Sequence, residues 1–120
     1  MYRVYDIQKR EWVRNNIYIS PNGDLYIEKN TLFGKRLKLA SQGRYVVHRS
    51  TETIDIHNVE IYEGDICISE SLNIVGVVVY SMYDTTYYLY NDIRNEYYSL
   101  ATEDAKDIKV IGNVFNIKNK

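Results

Sequence analysis

Apolar and polar side chains alternate with period two along most of this 120-residue chain, and that alternation confines it to β-structure. Tyr2, Val4 and Asp6 alternate with Arg3, Tyr5 and Ile7. Ile17 and Ile19 flank Tyr18, Leu25 and Ile27 flank Tyr26, and Leu37 and Leu39 flank Lys38. In each run one set is expected on a core face and the other toward solvent. The run Ile74–Tyr80 differs. Val75, Val77 and Val79 oppose Gly76, Val78 and Tyr80, so this strand is expected to be apolar on both faces and central in its sheet.

Turn residues interrupt these runs every few residues. Ser20-Pro21-Asn22-Gly23-Asp24 is the strongest, because proline presets φ and Asn-Gly accepts the left-handed backbone of a tight hairpin. Phe33-Gly34-Lys35, Ser41-Gln42-Gly43, Glu63-Gly64-Asp65 and Tyr90-Asn91-Asp92 are further turns. Many short strands at regular spacing predict an all-β sandwich or small barrel. At most one short helix is expected, over Ala101–Lys106, with Thr102 as its cap.

A chain of this length makes one domain, here residues 1–120, and buries enough surface to fold without disulfides or metals. One cysteine, Cys67, favours a reducing compartment. The first residues lack a basic segment followed by an apolar one, and Ile74–Tyr80 is too short to cross a bilayer. A soluble, cytoplasmic protein with no membrane partner is the expectation. The net charge of −1 hides two halves of opposite sign. Residues 1–50 carry ten Lys or Arg against four Asp or Glu, and residues 51–120 carry five against twelve. A soft seam is expected near residue 50. The halves either compensate by packing together or leave one anion-attracting face.

Glu60-Ile61-Tyr62-Glu63-Gly64-Asp65-Ile66 resembles the E-I-Y-E-G-D-I signature of the YopX-like proteins of temperate phages and prophages. Three other segments carry the same resemblance. Tyr2-Arg3-Val4-Tyr5-Asp6 with Trp12 is similar to the family's opening, Ile19–Tyr26 to its early hairpin, and Val110–Phe115 to its closing V-I-G-N-I-Y strand. One departure is visible. Where the family usually has T-G-L-K-D-x-N-G-K, this chain has Thr51-Glu52-Thr53-Ile54-Asp55-Ile56-His57-Asn58-Val59. Both glycines are missing, so a reshaped turn is expected there. The resemblance implies a small SH3-like barrel in the C-terminal part, residues 51–120, preceded by N-terminal β-hairpins over residues 1–50. It implies no activity.

No catalytic set stands out. Cys67, His57 and Asp55 compose a conceivable nucleophile group, but a lone strand cysteine is ordinarily a small buried hydrophobe. His48 and His57 lack the partners of a structural zinc site. Asp55, Glu60, Glu63 and Asp65 lack calcium-loop spacing, and Glu63-Gly64-Asp65 reads as a turn whose carboxylates hold backbone groups. The six glycines stand apart, so no phosphate loop forms. No cofactor, no metal and no enzymatic activity are expected.

The unusual feature is tyrosine. There are thirteen, against two Phe and one Trp, and seven of them fall between Tyr80 and Tyr98. In β-structure Tyr88 and Tyr90 share one face while Tyr87 joins Leu89 on the other. Half-exposed tyrosines are rigid apolar plates with a polar tip, suited to a protein interface or to stacking on bases. Tyr83, Tyr88, Tyr90, Tyr97 and Tyr98 are therefore candidate binding residues. They also suit a sheet for structural reasons alone. Arg36, Lys38 and Arg44 are candidate phosphate holders. Three functions follow: a phage-type protein that binds a host macromolecule, as an anti-defence inhibitor for example; a binder or sponge for a nucleotide signal, built as a homo-oligomer; and a small-barrel nucleic-acid binder.

Overall fold

The computed structural model describes residues 1–100 and 106–117, and among them every regular element is a β-strand. The predicted helix at Ala101–Lys106 lies, apart from Lys106, outside the described residues. The chain forms two compact units: Arg3–Val47, and Met1–Tyr2 with His48–Lys120. The boundary at Val47–His48 falls close to the residue-50 seam, where the charge changes sign. The Arg3–Val47 unit has nine Lys or Arg against four Asp or Glu, and the other unit has six against twelve.

In the Arg3–Val47 unit, β1 (Tyr2–Asp6) pairs with β2 (Glu11–Trp12), with Tyr5 opposite Trp12. Their rings meet edge-to-face at 5.0 Å, and the Arg3 guanidinium lies 4.4 Å above the indole. A second sheet has the order β3 (Ile17–Ile19), β4 (Leu25–Thr31), β5 (Gly34–Leu39). The Ser20–Asp24 turn joins β3 to β4. Gly23 takes φ +88° there, and the Ser20 carbonyl accepts the Gly23 N–H. Val4, Leu25 and Ile27 form the core, flanked by Val13, Ile17, Ile19 and Val47. The alternation of β3 and β4 is thus the pattern of burial. In β5 it is not. Leu37 and Leu39 remain 53% and 57% exposed, because the register sets them opposite Glu28 and Tyr26, on the face of the sheet away from the Leu25 and Ile27 core.

The larger unit starts within β6 (Tyr45–Ile54), whose far half pairs with β7 (Glu60–Tyr62). A six-stranded antiparallel sheet follows, in the order β11-β10-β9-β8-β12-β13. Its strands are β8 (Asp65–Ser69), β9 (Ile74–Ser81), β10 (Thr86–Asn91), β11 (Glu96–Ser99), β12 (Lys109–Asn113) and β13 (Asn116–Ile117). The β8–β12 register shifts between Val110 and Gly112, a bulge that bends the sheet. One face carries the core of Ile61, Cys67, Ile74, Val78, Leu89 and Ile108. Each such side chain removed from water is worth about 1.5–3 kcal/mol.

Two carboxylates, buried Asp55 and half-buried Asp107, tie this unit together. Asp55 accepts backbone N–H groups from His57 (2.8 Å), Val59 (2.9 Å) and Val110 (2.9 Å). Although its burial opposes ionisation, these donors hold its carboxyl below the ordinary value. Asp107 accepts the Ser71 N–H at 2.8 Å and the Ser69 hydroxyl at 2.7 Å.

Candidate tyrosine-lined binding face

The outer face of the β9–β10–β11 region is set by register. Tyr88 lies opposite Val79 and Ser99, and Tyr90 opposite Val77 and Tyr97. Residues directly opposite share a face, so Val77, Val79, Tyr88, Tyr90 and Tyr97 stand together, away from buried Leu89 and Val78. The β9–β10 connection adds Met82, which is 83% exposed, and fully exposed Tyr83. Tyr83, Tyr88, Tyr90 and Tyr97, with Val79 and Met82, line a groove of about 630 Å³.

The rings are ordered by one another. Tyr90 and Tyr97 lie 4.6 Å apart at 34°, and Tyr97 meets Tyr88 edge-on at 6.1 Å. The phenol hydroxyls are directed too. Tyr90 donates to Asn95 Oδ1 at 3.0 Å, and Tyr88 donates to the Asp84 carboxylate. That bond raises the Tyr88 phenol above its ordinary value and lowers Asp84, so each holds the other in its neutral or charged form. Gly76, on the inner face of β9 with Ile74 and Val78, sets how closely β9 and β10 approach. A β-carbon there would meet the Tyr90 carbonyl oxygen at 2.6 Å, so only glycine lets β10 approach this closely.

The other candidates are placed differently. Tyr98 lies opposite Leu89 and packs against the core, with its hydroxyl donating to Glu96 at 2.8 Å. It is adjacent in sequence to Tyr97 but on the other face, as alternation dictates. Tyr80 and Tyr87, 5.0 Å apart, pair on that inner side, with the Arg49 guanidinium 3.8 Å from the Tyr80 ring. Arg44 is held by Asp6, with Nε 3.1 Å from Oδ1 and Nη2 2.9 Å from Oδ2. This bidentate pair engages the Arg44 guanidinium on its Nε and Nη2 edge. Arg36 and Lys38 are exposed on β5, in the Arg3–Val47 unit, whereas the tyrosines belong to the other.

The remaining chemical candidates are structural. Cys67 is wholly buried, and burial pushes its thiol up to about 12, so it stays protonated near neutrality. Glu63 accepts the Arg49 N–H at 3.1 Å and its guanidinium at 3.3 Å. Asp65 accepts the Tyr62 N–H at 2.7 Å. Among the described residues, no three His, Cys, Asp or Glu side chains come together as a metal site, and no helix is long and apolar enough to cross a membrane.

Comparison with known proteins decides the family. The family model described as YopX protein matches residues 1–117. The chain belongs to the YopX family. Two solved structures share the fold. Protein yopX from Bacillus subtilis is 16% identical, with a TM-score of 0.62 over 95% of this chain and 91% of that one. Protein EF1440 from Enterococcus faecalis is 17% identical, with a TM-score of 0.55 over 95% and 92%. No curated protein matches.

The YopX signature segment Glu60–Ile66 is the β7–β8 turn. Gly64 sits in it at φ +85°, beneath the His48 ring, which stacks on Phe115 at 5.5 Å. The two positions where YopX proteins usually carry glycine are Glu52 and Asn58 here, and both hold left-handed backbone, at φ +62° and +63°. Both positions thus keep a backbone conformation that glycine favours. Asp55 closes the turn, bonding the His57 and Val59 amides, and Glu52 marks the β6–β7 register shift between Ser50 and Ile54.

Proposed function

We propose that this YopX-family protein is a phage- or prophage-encoded binding protein without enzymatic activity. It engages a host protein through the tyrosine face, to inhibit a defence factor or redirect a host enzyme. The larger unit is read as a small SH3-like barrel presenting that face. The observation that carries this is the groove of Tyr83, Tyr88, Tyr90 and Tyr97, in which the Tyr88, Tyr90 and Tyr97 rings pack on one another before any partner arrives. Pre-ordered aromatic plates lose little entropy on binding, and tyrosine is enriched among the residues that dominate interfaces. The acidic balance of the same unit, with Asp84 and Glu96 bonded to tyrosine hydroxyls, favours a partner with a basic surface.

The nucleotide reading gains no such support, since Arg44 is committed to Asp6. Affinity capture from a bacterial host lysate, with and without crosslinking, tests the proposal. One specific host protein should be retained, and recovery of none in either format would refute it.

A further inference from the structure

The β4–β5 hairpin breaks the usual rules for a turn. Thr31 pairs with Gly34, leaving Leu32 and Phe33 alone at the tip. Tips favour Asn, Asp and Gly, yet here two large apolar side chains stand 98% and 90% exposed. The tip is nonetheless well built. The Thr31 hydroxyl accepts the Phe33 N–H at 3.2 Å and donates to the Gly34 carbonyl at 2.6 Å, and Gly34 takes φ +112°.

Charge on the hairpin is one-sided. Lys35 lies 3.7 Å from Glu28, on the face shared with Leu37 and Leu39. The opposite face, which carries buried Leu25 and Ile27 at the base of the hairpin, bears Lys29, Arg36 and Lys38, with Lys29 directly opposite Arg36 and exposed Lys38 opposite Ile27. Like charges in direct register destabilise a sheet, and an anionic partner reverses that penalty.

We propose that the β4–β5 hairpin is a binding ribbon for duplex DNA. A two-stranded ribbon can lie in the minor groove, where an apolar tip wedges between base steps. Arg36 and Lys38, about 6.6 Å apart along the strand, form a linear array against the linear charge of a phosphate backbone. A membrane surface fits less well, because the cations lie along one side of the ribbon rather than around its tip. This inference is independent of the tyrosine face.

Fluorescence anisotropy of the full chain with a short fluorescein-labelled duplex tests it. Neutralising three phosphates predicts that affinity falls about 40-fold between about 50 and 200 mM salt. Arg36→Ala with Lys38→Ala should weaken binding and reduce that fall to about 3-fold. Phe33→Ser should weaken binding with the salt dependence unchanged. Circular dichroism confirms that these exposed substitutions leave the fold intact. The proposal is overturned if the duplex does not bind at the lower salt, or if either variant binds like wild type. It is also overturned if polyglutamate, or phosphatidylglycerol vesicles, compete as well as unlabelled duplex at equal charge.

Discussion

A β-carbon on Gly64 would stand 2.4 Å from Cε1 of the His48 ring. Gly64 also takes φ +85°, its N–H donates to the Val78 carbonyl at 2.9 Å, and its carbonyl accepts the Val114 N–H at 2.9 Å. The glycine of the family signature therefore fastens β7, β8, β9 and the end of β12 around one stacked histidine. Gly64→Ala adds both backbone strain and overpacking, and should destabilise by about 2–5 kcal/mol. Urea denaturation checks this. An unchanged midpoint would mean that the His48 ring can move aside.

Glu52 and Asn58 show the opposite case, left-handed backbone without glycine. Glutamate is poorly suited to that region, whereas asparagine tolerates it. Glu52→Gly should therefore stabilise by about 1 kcal/mol, and Asn58→Gly by only a few tenths. Thermal melts of the two variants give the order directly. A fall in Tm for Glu52→Gly would show that side-chain contacts outweigh the strain.

Acid should weaken the Arg3–Val47 unit through Asp6. Its bidentate bond to Arg44 is the main cause that lowers its carboxyl from 3.8 to about 2. A folded-state value below the unfolded one means that the contribution is present above about pH 4 and is lost as pH falls toward about 2. Asp55 and Asp107 shift in the same direction, so they reinforce the trend in the larger unit. Urea melts across this range should show a falling midpoint, and Asp6→Asn should flatten part of the fall. A pH-independent midpoint for wild type contradicts the pairing.

Cys67 should resist thiol reagents. Its side chain is buried and its thiol is pushed up to about 12. Labelling by Ellman's reagent at mildly alkaline pH should be negligible in native buffer and should follow unfolding in urea. Rapid labelling of the native protein would contradict the burial and revive Cys67 as a nucleophile.

How much of this was legible depends on where neighbours supply the answer. Leu25 and Ile27 were readable from alternation because β4 lies between two strands over a core. Leu37 and Leu39 have the same pattern, but the register sets them opposite Glu28 and Tyr26, on the face away from the core, and register is not written in local periodicity. The tyrosine cluster was visible as composition. Parity separates Tyr98 from Tyr97 once a strand is fixed, yet only the register brings Tyr88, Tyr90 and Tyr97 together. Arg44 looked like a free cation because its partner, Asp6, is 38 residues away. Phe33-Gly34 by itself signals only a turn, and the exposed apolar tip at Leu32 and Phe33 goes beyond that signal. The signal was two large apolar residues where turn residues belong.

The tyrosine face itself is tested most directly by Tyr83→Ser with Tyr97→Ser. Tyr83 is 102% exposed, so Tyr83→Ser should change stability by no more than about 0.5 kcal/mol, whereas Tyr97 packs on Tyr88 and Tyr90 and Tyr97→Ser should cost about 0.5–1.5 kcal/mol. Quantitative capture from host lysate is then compared between wild type and the double variant at a temperature where melts show both fully folded. The account predicts that a host protein retained by the wild type is lost from the variant. Retention of that protein at the wild-type level would contradict it.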